Sequence, residues 1–203
     1  MITLLLACSD YQVRKPDPPT PVEPPGVDPD ADIGSPPDWT TCGEGWHGVY
    51  ANLTAENPAV EPEEDVLASD PTTLDWWDDV SFRQFDGSLD IGQNWWPVDE
   101  GIAEDPLYFA VRWTAWIRGY SDTTVEAWLG SDDDAWVLVN GDVVASQPGL
   151  REFEPEVVTF TVQAGQFPID IRYAQRAGDT SGFRFRVLSG DVTVCYPDFS
   201  DPE

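Results

Sequence analysis

The chain has 203 residues, 41% of them hydrophobic, enough for one domain with a real core and some additional tail. It carries 38 acidic against 10 basic side chains, and the resulting charge of −28 repels nucleic acid and anionic lipid, excluding both as partners, while it attracts cations. No run of 18 or more apolar residues occurs, so no segment reads as a membrane-spanning helix.

At the start of the chain, Leu5, Leu6 and Ala7 precede Cys8, and Ser9 follows it. This resembles a bacterial lipobox, in which a signal peptide is cut before a cysteine that becomes lipidated. Only seven residues precede Cys8, fewer than a complete signal peptide has. Ser9 rather than aspartate after the cysteine points to the outer membrane, with the lipid as the only membrane contact. Residues 9–38 form a tether: "KPDPPTPVEPPGVDPDADIGSPPD" is dense in Pro and Asp and too poor in large apolar residues to bury a core. Its prolines favour extended polyproline II geometry at about 3.1 Å per residue.

From Trp39 the texture changes to short strands. Cys42 and Cys195 flank this region, and in an exported protein such a pair reads as a disulfide closing a long loop. A metal site is the weaker alternative, since no close CxxC spacing is present and His47 is the only histidine. The stretch from about 56 to 101 is irregular and holds two tryptophan pairs, Trp76–Trp77 and Trp95–Trp96, readable either as packing onto the domain or as exposed ring platforms.

The later strands alternate clearly. Phe109, Val111, Trp113 and Ala115 share one face, and so do Val125, Ala127 and Leu129, then Ala135, Val137 and Val139. "VVTFTVQAG", "FPIDIRYAQ" and "FRFRVLSGDVTV" continue the pattern between Gly, Pro and Asp turn signals. No segment shows a capped helical period. The expectation is an all-β protein, an antiparallel sandwich spanning 39–198 with a short tail at 199–203.

Between two of these strands lies "LGSDDDAWVLVNGDVV", in which three consecutive carboxylates, Asp132, Asp133 and Asp134, stand where a tight turn needs only one or two polar residues. Either water solvates them or something positive sits on them. Hard carboxylate oxygens without nearby His or Cys suit calcium or magnesium rather than zinc or copper.

Four motifs in one order carry a family resemblance: "GWHGVYANLT", "DPLYFAVRWTAWIR", "SDDDAWVLVNG" and "FPIDIRYAQRAGDTSGFRFRV". Together they resemble the PA-fourteen β-sandwich domain. "DDDAWVLVNG" and "YAQRAGDTSGFRF" are also similar to its fibro-slime variant from extracellular and matrix proteins. The resemblance implies a calcium ion on Asp132 and Asp133, a cis peptide between them, and sugar hydroxyls completing the coordination. Asp134 occupies the position where the family usually has Gly. A second loop must add ligands, and the matching one, "AQRAGDTSG", offers Asp179 first and Gln175 second. Trp128 and Trp136, which flank the acidic loop in sequence, are candidates for stacking on the sugar, or else for packing under a covering segment.

The expected function is calcium-dependent glycan or polysaccharide binding by a lipid-anchored envelope protein. The alternative is a structural or protein-binding module. Catalysis is not expected: no nucleophile elbow, phosphate loop or metalloprotease helix is present, and His47 sits inside a strand motif.

Overall fold

The computed structural model describes residues 36–40, 42–53, 71–78, 80–97, 108–176 and 180–196. Cys8, Asp179, the tail and nearly all of the tether lie outside them. Eleven strands run in order: β1 (Trp46–Asn52), β2 (Val80–Asp86), β3 (Asp90–Gln93), β4 (Phe109–Gly119), β5 (Thr123–Asp132), β6 (Asp134–Val139), β7 (Asp142–Gln147), β8 (Glu156–Val162), β9 (Gly165–Gln175), β10 (Gly182–Ser189) and β11 (Val192–Cys195). The only helical turn among the described residues is a 3-10 turn at Pro71–Thr73.

The strands form two antiparallel sheets. The larger runs β2-β1-β4-β9-β6-β7, with β11 also on β4; the smaller runs β3-β10-β5-β8. The protein is the expected β-sandwich. The alternating residues of β4, β5 and β6 named above all face the core between the sheets, where they meet Ile171, Tyr173 and Phe183. Trp113 stacks on Phe183 at 4.6 Å. Asn140 and Gly141 turn β6 into β7 with φ of 53° and 86°, the positive values that a two-residue hairpin turn requires.

The irregular region holds more order than its composition indicates. Residues 80–86 and 90–93 are the edge strands β2 and β3. Edge strands bury less, so their polar side chains blur the period-two signal. Residues 71–78 lie over the outer face of the larger sheet and seal a second apolar layer of Leu53, Trp76, Trp77, Ala110, Trp136 and Leu138.

Cys42 and Cys195 are bonded, with Cα atoms 5.7 Å apart. Cys195 pairs with Trp116 of β4, whereas Phe109 at the opposite end of that strand pairs with Gln175. The seven residue steps from Phe109 to Trp116 span roughly 24 Å of extended chain, at about 3.4 Å each. The disulfide and the acidic loop therefore lie toward opposite ends of the sandwich.

Candidate functional site

The acidic triplet occupies the crossover between the sheets. β5 of the smaller sheet ends at Asp132 and β6 of the larger begins at Asp134, so Asp133 is the hinge. The Asp132–Asp133 peptide is cis. All three side chains are buried, at 4%, 3% and 0% exposure, which rules out a solvated turn. Because the chain changes sheets here, each carboxylate meets different partners.

Asp132 Oδ2 accepts from the Thr180 hydroxyl at 2.8 Å, and its carbonyl oxygen accepts from Tyr173 Oη. Asp133 accepts the backbone N–H of Arg151 on Oδ1 at 3.1 Å and that of Arg176 on Oδ2 at 2.8 Å. Asp134 takes the N–H of Gly149 on Oδ1 at 2.5 Å and Arg176 Nε on Oδ2 at 2.6 Å. Arg176 is itself fully buried beneath Trp76, its guanidinium carbon 5.3 Å from the ring centre. The positive group on the triplet is thus a guanidinium, and it serves the third aspartate.

The triplet gathers two loops. Gly149 and Arg151 bring in the β7–β8 connection, and Leu150 between them stands 38% exposed at the rim. Arg176 and Thr180 bring in the connection after β9.

The charges are unevenly compensated. Burial raises the carboxyl pKa of Asp134, while Arg176 and the Gly149 N–H pull it back. Burial also raises that of Asp132, hydrogen bonds from Thr180 and Gln175 oppose it, and Glu152 raises it further. No described partner of Asp132 is a cation. In kind, Asp132 and Asp133 fit a hard divalent ion. Among the described residues, however, no three His, Cys, Asp or Glu side chains cluster to hold a metal, so calcium needs ligands beyond this pair.

The other candidates are distributed as follows. Gln175 is fully buried; its Oε1 accepts from Tyr173 Oη at 2.9 Å and its Nε2 donates to the Thr180 carbonyl at 2.8 Å. It braces the site from inside and presents nothing to a sugar in solution. Trp136, expected as a possible platform, is 1% exposed, with Trp76 and Trp77 centred 6.1 and 6.2 Å away. Of the two expected arrangements Trp136 adopts packing under a covering segment, the one at 71–78. Trp128 shares the outer face of β5 with Asp132, but Pro155 packs on the intervening Gly130, where a Cβ would come within 2.8 Å of the proline Cα. Trp128 instead pairs with the Arg184 guanidinium at 5.2 Å. Trp95 is likewise structural, 5.7 Å from Trp113.

Sequence reasoning missed Arg176, Arg151, Gly149, Thr180 and Tyr173. For Arg176 a signal existed, since one of only ten basic residues follows β9 directly. Gly149 and Arg151 act through backbone N–H groups alone, which leave no trace in side-chain chemistry.

No protein-family model matches the chain, and no curated protein does. Solved structures share its fold. The PA14 sugar-binding domain from an RTX adhesin is 14% identical with a TM-score of 0.53, covering 75% of this chain and 96% of that one. The epithelial adhesin 9 A domain from Candida glabrata, in complex with Galβ1-4GlcNAc, is 13% identical with a TM-score of 0.52, covering 82% and 95%. The epithelial adhesin 6 A domain from the same organism, in complex with Galβ1-3GlcNAc, is 12% identical with a TM-score of 0.53, covering 80% and 88%. The chain has the β-sandwich fold of these carbohydrate-binding adhesin domains.

Proposed function

We propose that the chain is a calcium-dependent carbohydrate-binding module of the cell envelope, with its site at the Asp132–Asp133 end of the sandwich. The observation that carries this reading is the buried Asp132 carboxylate, which lies beside Asp133 and Glu152 and has no described cationic partner. Such a group is costly unless a positive charge joins it. The shared fold with adhesin domains solved in complex with galactosides supports the ligand class.

Asp132 and Asp133 would hold the ion, with Asp179 the first candidate for a third ligand. Calcium supplies charge and coordination positions that sugar hydroxyls can occupy. The chain's own residues do the positioning. Thr180 orients the Asp132 carboxylate, and the N–H groups of Arg151 and Arg176 hold Asp133 from two loops. Asp134 is spent on Arg176 and stays outside the ligand set. Attachment through a lipidated Cys8 would present this end away from the membrane, because the tether joins the sandwich near the disulfide.

A second reading has its own support: the bonds made by Asp133 and Asp134 would by themselves fasten three segments in a structural or protein-binding module. Thermal unfolding with calcium and with chelator, in wild type and Asp133→Ala, separates the two. A calcium-dependent rise in midpoint that the substitution removes supports the ion site, since a ligand bound only to the native state stabilises it. Glycan-array binding that chelation abolishes then establishes the sugar. Identical midpoints in calcium and chelator would sink the proposal in favour of the second reading.

A further inference from the structure

The outer face of the larger sheet carries a cavity of about 360 Å³, whose lining includes Thr72, Leu74, Trp77, Asp78, Arg112 and Arg172. None of these residues is among the described partners of the acidic triplet. We infer that this cavity is a second binding site, for the carboxylate of a single acidic sugar residue such as a uronate.

Asp170 organises the positive wall. Its Oδ2 accepts from Arg112 Nε at 3.0 Å and from Arg172 Nε and Nη2 at 3.3 Å each. Arg172 is then fully committed, since its Nη1 donates to the Pro71 carbonyl at 2.8 Å and its guanidinium lies 5.0 Å from the Trp77 ring centre. Arg112 engages Asp170 through Nε alone, and its side chain is 34% exposed. Its two terminal nitrogens have no described partner, and the Nε bond to Asp170 limits how the guanidinium can turn. A carboxylate accepts a parallel pair of N–H donors from such a fork, and a fork held in advance loses little freedom on binding.

The remaining walls favour a sugar over a bare anion. The half-buried Leu74 offers apolar surface to ring C–H groups, with the buried Trp77 behind it, while the exposed Thr72 and Asp78 at the rim suit hydroxyls. The volume lies at the lower end of the roughly 300–1,000 Å³ range of ligand pockets, which suits one ring rather than a longer segment. In a chain of charge −28 a cationic fork is scarce, and long-range repulsion of the anion falls within a Debye length of about 8 Å at physiological salt.

The site stands apart from the acidic loop, and its test keeps the two distinct. Titration calorimetry of the 203-residue chain at physiological salt compares galacturonic acid with galactose. Galacturonate is expected to bind saturably and about tenfold or more tighter than galactose. Arg112→Gln should erase that preference, Thr72→Tyr should block the cavity mouth, and chelation of calcium, which empties the proposed ion site, should leave the preference intact. Far-UV circular dichroism confirms that each variant is folded. Absence of galacturonate binding, a preference surviving both Arg112→Gln and Thr72→Tyr, or its loss in chelator would each overturn the inference.

Discussion

Asp134 and Arg176 form an ion pair with neither side chain exposed, Oδ2 to Nε at 2.6 Å, at the point where the chain passes from one sheet to the other. The pair joins the start of β6 to the end of β9 under the Trp76 ring. The pair makes Asp134 a structural anchor, while Asp132 and Asp133 meet a hydroxyl and backbone amides instead.

Removing one partner of this pair leaves the other charge buried without compensation. Arg176→Met or Asp134→Leu alone is expected to destabilise the fold by about 3–5 kcal/mol in urea unfolding. The double substitution Asp134→Leu/Arg176→Met should recover much of the loss. Strictly additive effects would mean that the two groups do not interact.

Gly130 admits Pro155 against the sheet. Gly130→Ala places a Cβ 2.8 Å from the Pro155 Cα, so the β7–β8 connection has to shift. A loss of about 1–3 kcal/mol is expected. Since the same connection delivers the Arg151 N–H to Asp133, any calcium-induced rise in midpoint should shrink as well. Unchanged stability would show that the connection moves freely.

His47, the chain's single histidine, stacks on Tyr196 at 5.7 Å, and its Nε2 is buried without a described partner. Burial first, and Arg83 second, hold its pKa below the usual 6.5. Between the lowered folded value and 6.5 the unfolded chain binds more protons, so this group's contribution to stability rises with pH through that window and is lost as pH falls. Asp86, whose carboxyl burial raises, contributes the opposite slope. Subtracting the profile of His47→Gln isolates the histidine: the wild-type advantage should decline as the pH falls below 6.5. A flat difference would refute the assignment.

Cys42→Ser is expected to cost up to about 5 kcal/mol, the chain-entropy value for a separation of 153 residues. Chemical denaturation with and without reductant measures it, and equal midpoints in both conditions would contradict it. Residues around Gly43, bridged to Tyr196, should gain hydrogen exchange first.

Much of the sandwich was legible because its information is local. A side chain that must face a core repeats every two residues, so Phe109–Ala115, Val125–Leu129 and Ala135–Val139 announce their inner faces directly. The Asn140–Gly141 turn is equally local, since its positive φ values restrict which residues fit. The acidic triplet was visible as an anomaly, and the pairing of Cys42 with Cys195 followed from there being no other cysteines near the folded region.

The partners of those residues were decided only in three dimensions. Trp136 and Trp128 look alike in sequence, each outward on its strand, yet Trp136 lies under the 71–78 segment while Trp128 stays half-buried beside Arg184. Likewise, nothing in "SDDDA" distinguishes three aspartates, but the change of sheet at Asp133 aims them at a hydroxyl, two backbone amides and a guanidinium. Alternation is written into neighbouring residues, whereas a buried charge finds its partner in a residue more than 40 positions away, and only folding brings the two together.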